Sequence, residues 1–246
     1  MQKPFIAFRM TCWVLAFAAL GWAVLTLRHI PAPGLLGMAQ AVRLGQTFDT
    51  ETLHAMAAEE DQHICLGEEG NSKLLIEFAL FDRLHLAGGR VSDEALSGLR
   101  DAARMRLRCS PTDALAWLAL YVVAIRQEGL GPSALAALRA AYRNGPHEAW
   151  LQMLRLPAVL TAWNGLPQDL RDAARTDFAD LLQAGLDGAV AGVIVRAPAA
   201  RREALLETIC PLNRARKLAI AWQITNLRAH VEHRCLVDPA LPVFLR

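Results

Sequence analysis

The chain has 246 residues, a formal net charge of +2, 54% hydrophobic residues and 20% charged ones. That balance excludes a disordered polymer, and a near-neutral chain with dispersed cations gives no electrostatic footing for nucleic acid. The length suits one domain of roughly 200 residues plus an anchor.

From the N-terminus, residues 11–27 (TCWVLAFAALGWAVLTL) form an uncharged apolar run between Arg9 and Arg28. A helix of this length covers roughly 26 Å, and snorkelling arginines at both ends extend it to the core of a thin bilayer. Trp13 and Trp22 fall near its two ends, where amphipathic rings favour the interface. Cations before the run and acidic residues after it place the N-terminus in the cytoplasm and the body in the periplasm, at the inner membrane. A cleaved signal peptide fits less well, because Thr26-Leu27-Arg28 lacks the small residues that cleavage needs. The expected organisation is a cytoplasmic tail at 1–9, an anchor at 10–28, a linker at 29–48, a helical domain at 49–236 and a C-terminal tail at 237–246.

Beyond the linker, apolar residues recur at spacings of three and four, and β-branched residues are sparse. The pattern predicts helices at about 49–66, 72–87, 92–108, 112–128, 132–144, 146–156, 168–184, 198–209 and 212–234. Ser92-Asp93-Glu94 is a helix start, and Ser110 is the expected N-cap of the next helix, with Pro111 at its first position. Gly88-Gly89, the 129–132 segment GLGP and Asn144-Gly145-Pro146 punctuate the breaks. Short links make neighbouring helices antiparallel. The fold class is therefore all-α: an N-terminal transmembrane helix followed by an antiparallel helical-hairpin array.

The hexapeptide LRDAAR occurs at 99–104 and again at 170–175, with LRAAYR at 138–143 between them. The spacings of 39 and 32 residues lie in the range of helical-hairpin repeats. Within 111–154, Pro111, Trp117 and Leu120 precede Ala134, Leu138 and Ala141, and Pro146 and Trp150 follow. This stretch resembles a tetratricopeptide repeat, with one inserted residue between Trp117 and Ala134 and with Val122 and Ala124 where the family prefers Gly and Tyr. The resemblance implies a concave surface that binds a peptide or protein partner. The overall plan is similar to anchored accessory proteins of bacterial exopolysaccharide and O-antigen synthesis. It implies a non-catalytic scaffold that binds a partner protein, without cofactor. Alternatives are an assembly or quality-control factor for another envelope complex, and an unrecognised carbohydrate-active enzyme.

In an oxidising compartment the cysteines invite disulfides. Cys65 and Cys109 end the first and third predicted helices, which face the same way in an antiparallel array, so they are the disulfide candidate. Cys210 and Cys235 bracket a predicted helix that would hold them ~33 Å apart if unbroken, and they pair only if it breaks.

No zinc-protease, Walker, nucleophile-elbow, C-x-x-C or haem motif occurs. His230, His233 and Cys235 are the nearest approach to a metal set, and helix-end histidines are the simpler reading, so no metal is expected. Glu77, Asp82, Asp177 and Asp180 are the carboxylates available for acid–base chemistry, expected on scattered faces. Arg100, Arg104 and Arg108 form one stripe, read as a solvated face. Trp117, Trp150, Trp163 and Trp222 are read as wedges between hairpins.

Overall fold

The computed structural model describes residues 34–43, 46, 48–58, 69–86 and 92–236, together with the isolated positions Trp13 and Ala16. Apart from those two positions, the expected tail 1–9, anchor 10–28 and C-terminal tail 237–246 lie outside the described residues, as does Cys65. No helix of the described residues is long and apolar enough to cross a membrane.

The described residues form eleven α-helices and no strand. They are α1 (Leu35–Arg43), α2 (Thr50–Ala57), α3 (Glu69–Leu86), α4 (Asp93–Cys109), α5 (Ala114–Gln127) and α6 (Pro132–Asn144). After them come α7 (Ala149–Thr161), α8 (Gln168–Gln183), α9 (Asp187–Arg196), α10 (Ala199–Ile209) and α11 (Arg214–Asn226), with a 3-10 turn Trp163–Gly165 between α7 and α8.

Helices α3 to α6 pack in series, each on the next, and second-neighbour contacts join α3 to α5, α5 to α7 and α6 to α8. Helix α5 is the hub of this series. Its buried residues fall on nearly every side (Leu115, Ala116, Leu118, Ala119, Tyr121, Val122), which is the signature of a helix surrounded by others. The α5–α6 hairpin is closely packed because the facing positions are small: Ala134, Ala137 and Ala141 are buried around Leu138. The recurrent hexapeptide marks one packing register. Its leucine and the residue four later are buried in α4 (Leu99, Ala103) and in α8 (Leu170, Ala174), because they share a helix face.

Several elements depart from the sequence expectation. The expected linker contains α1, whose Met38 and Ala39 are buried against α3. Leu35, Met38, Ala39 and Val42 have helical spacing, but the glycines around them disguise it. Residues 187–196 form α9, a helix buried through Val190, Ala191, Val193 and Ile194. Apolar almost all round, it shows no amphipathic period. The N-cap of helix α5 lies three residues after the expected one. Asp113, not Ser110, accepts from the Ala116 amide at 3.0 Å, while its other oxygen accepts from Arg106 Nε at 2.8 Å. The carboxylate outcompetes the serine because it caps the helix and pairs with Arg106 at once.

The last helix ends at Asn226, eight residues before its expected end. Its final carbonyls are closed by a reversal in which the Arg228 amide donates to Thr225 and the Ala229 amide to Ile224. The reversal requires left-handed backbone at Arg228, which has φ 56°. An exposed arginine there carries a conformational cost that glycine would not. Arg228→Gly should therefore stabilise the fold by about 1 kcal/mol, read as a higher denaturation midpoint at unchanged m-value.

Candidate functional site: an arginine-rimmed cleft built on a buried ion pair

The site begins with a broken helix bond. Pro157 sits inside α7 and has no N–H, so the carbonyl of Met153 loses its helical donor. Arg196, at the end of α9, supplies one: its Nη2 donates to Met153 O at 2.9 Å, and its Nη1 reaches Asp82 of α3 at 3.1 Å. One side chain thus ties α9 to the proline gap in α7 and to α3.

Two residues after Met153, Arg155 is 0% exposed, and its carboxylate partner among the described residues is Asp177 of α8, 2% exposed. The pairing is bidentate, Nε to Oδ2 and Nη2 to Oδ1, both at 2.8 Å. Nη1 donates to the carbonyls of Ala141 and Gly145, at the C-terminal end of α6 where the helix dipole favours a cation. Four of the five N–H donors are thereby placed, which a buried guanidinium requires. The Tyr142 ring lies 4.0 Å from the guanidinium carbon. The fit depends on Gly145, since a Cβ there would meet Ala114 Cβ at 2.7 Å and Leu151 Cδ2 at 2.8 Å.

Burial pushes the Asp177 carboxyl above its ordinary value against the pull of Arg155 and of the Gln152 amide, and nearby Asp180 adds to the push. Burial also drives the Tyr142 phenol far upward, helped by the Asp177 charge. Asp180 lies one turn after Asp177 and accepts from Gln152 at 3.0 Å, with His147 Nδ1 at 2.9 Å. Two of the four carboxylates named from the sequence therefore share one face of α8, rather than scattering. Both serve to fasten α8 to α7 and to the 146–148 turn.

The residues beside the ion pair, Leu156 on α7 and Phe178 on α8, face a cleft of ≈ 220 Å³ closed on its third side by α10. Leu160 and Leu205 complete an apolar floor. Trp163 stands at the mouth, with the guanidinium carbons of Arg175 and Arg201 at 5.3 and 5.8 Å from its ring centre. Arg175 pairs with Asp172 at 2.5 Å. Arg201 donates to the Asn164 amide oxygen and has no carboxylate partner among the described residues.

Helix α10 is held from both ends. Arg202 donates to the carbonyls of Ile194, Val195 and Ala197, satisfying the open C-terminal end of α9. At the other end, the chain after α11 folds back and a disulfide joins Cys210 to Cys235, whose Cα atoms are 4.7 Å apart. This overturns the expectation of an unbroken helix between them; the reversal at Arg228 is the reason. Arg234 Nη2 donates to both carboxylate oxygens of Glu207, at 2.7 and 2.8 Å, and holds its carboxyl below the ordinary value.

The histidine cluster is part of the same clamp. His230 is exposed and faces Glu232, whereas the side chain of His233 is only 5% exposed. The Cys235 amide donates to His233 Nδ1 at 3.1 Å, so the imidazole proton sits on Nε2 and is directed at Glu203, 3.1 Å away. His233 therefore presents a donor, not a lone pair, to the two glutamates, and Cys235 is spent in the disulfide. Cys109 is also disulfide-bonded, to a sulfur outside the described residues. Of the four tryptophans named from the sequence, Trp117 and Trp150 are half-buried against the core. Trp163 lines the cleft, and Trp222 is 55% exposed, so it is no wedge.

The buried pair should behave as an uncompensated charge when halved. Asp177→Asn should cost about 3–5 kcal/mol in urea denaturation, and Arg155→Met with Asp177→Leu together should cost much less. A simple sum of the single effects in the double variant would contradict the pairing.

Removing both sulfurs (Cys210→Ala with Cys235→Ala) should cost about 3 kcal/mol, as expected for opening a loop of this separation. It should also release amide protection across 229–236. In the intact protein the Glu207 contribution is complete above its ordinary value and is lost as pH falls through its depressed one. Protection factors in this segment, corrected for the intrinsic exchange rate, should therefore fall only as pH drops below the ordinary carboxylate range.

No protein-family model matches the chain, and neither a curated protein nor a solved structure is similar to it.

Proposed function

We propose that the chain is a non-catalytic docking protein of the bacterial envelope, anchored in the inner membrane by residues 10–28 with its helical body in the periplasm. On this reading it binds a partner protein engaged in surface-polysaccharide synthesis or export. The observation that carries the docking role is the serial packing of α3 to α6, each helix resting on its sequence neighbours as in helical-hairpin arrays. The likeness of 111–154 to a tetratricopeptide repeat supports the same role, as does the burial of Ala134, Leu138 and Ala141. The Cys210–Cys235 disulfide supports an oxidising compartment. Asp82, Asp177 and Asp180 are each engaged in pairs that hold helices together, which favours scaffold over acid–base chemistry. Cys65 is proposed as the partner of Cys109, the pairing that non-reducing peptide mapping would identify directly.

In-cell crosslinking of the full chain, followed by mass spectrometry, tests this reading. Polysaccharide synthases, polymerases or exporters among the crosslinked proteins are the expected outcome. Recovery of a secretion or respiratory assembly would keep the docking role and replace the pathway. Recovery of the chain's own copies alone would overturn the docking role.

A further inference from the structure

We infer that the cleft between α7, α8 and α10 is a binding site for a small organic carboxylate, an apolar body of about one aromatic ring carrying its charge at the end. The inference is independent of which partner the helical array holds.

Size sets the body. A cavity of roughly 150 Å³ lined by leucine, isoleucine and phenylalanine takes up benzene, so ≈ 220 Å³ leaves room for one ring and a short chain. The floor of Leu156, Leu160, Phe178 and Leu205 offers such a group dispersion contacts, with no charged or amide side chain among those four.

Charge sets the head. Two guanidinium carbons lie 5.3 and 5.8 Å from the centre of one indole ring at the mouth, which gives this edge of the cleft a positive potential. Asp172 offsets Arg175 only. Arg201 is held by a neutral amide oxygen and has no carboxylate partner among the described residues, so its positive charge is open at the rim. An anion seated beside Trp163 would meet that positive potential and accept the charge-assisted hydrogen bonds that the planar fork of an arginine offers a carboxylate. A neutral molecule of the same shape fills the floor without this gain, and a cation meets like charge. The geometry therefore selects carboxylate over alcohol and alcohol over amine.

The walls are built to persist. The Arg155–Asp177 pair fixes α7 against α8 immediately behind the floor, while Arg202 and the disulfide hold α10 in place. The site does not have to be assembled by its ligand, which favours binding by a small molecule.

The test uses the full-length chain in lipid nanodiscs, labelled with 5-fluorotryptophan, with Trp163→Phe to assign the Trp163 fluorine resonance. The probes are 3-phenylpropanoate, 3-phenylpropan-1-ol and 3-phenylpropylamine. A saturable shift of the Trp163 resonance by the carboxylate is expected, with affinity for the alcohol about tenfold lower and no saturation by the amine. Arg201→Ala should weaken carboxylate binding about tenfold and leave the alcohol unchanged. Ala204→Phe, which adds a ring at the exposed edge of the cleft, should abolish binding of both. Equal affinity for alcohol and carboxylate would overturn the anion subsite. Absence of any saturable shift, or a shift that survives Ala204→Phe, would overturn the site. None of these outcomes bears on the crosslinked partners, so the two readings fail separately.

Discussion

Burying a guanidinium removes it from water at a cost of several kcal/mol, and a dense set of acceptors is what makes that burial tolerable. Arg155 finds acceptors for four of its five N–H groups because three elements converge on it: the end of α6 through two carbonyls, α8 through Asp177, and α7, which bears it. Any slip of one helix along another would strand a charge in the core. The pair therefore fixes register more than it adds net stability, and the rest of the second half of the molecule is arranged around that fixed register. Leu156 and Phe178 follow the two partners in sequence, so the floor of the cleft inherits its geometry from the ion pair.

A second constraint works at the other end of the chain. Helix α10 has a limited buried surface of its own, with only Leu206 and Ile209 fully covered. It is held by polar devices instead: Arg202 on the carbonyls that end α9, and the returning segment fastened by a disulfide and by Arg234 on Glu207. The consequence is a small helix that keeps Arg201, Ala204 and Leu205 in position as the third wall of the cleft. Backbone reversal at Arg228, ion pair and disulfide all act on this one placement.

Helical class, most helix positions and the hairpin between α5 and α6 were legible in the sequence, because each depends on local period, caps and glycine or proline breaks. The elements that were not legible share one cause. Helix α1 is short, and helix α9 is buried on most sides, so neither shows an amphipathic stripe. Helix α11 stops where an arginine adopts a conformation that glycine usually signals, so nothing in the residues announced the end. The pairing of Cys210 with Cys235 followed from that unannounced stop.

The candidate site shows the same division more sharply. Arg104 and Arg175 occupy the same place in two copies of one hexapeptide, and no sequence argument separates them. Arg104 is exposed on α4, whereas Arg175 meets Trp163 at the cleft mouth. Similarly, Asp177 reads as one carboxylate among several until the fold brings Arg155 to it. The sequence by itself determined which residues could form helices, where most of them break and which faces are apolar, since these rest on neighbours within a few positions. Only the tertiary structure decided which charges meet, which tryptophan borders a cleft and which cysteines join. Those outcomes depend on helices many residues apart arriving at one place.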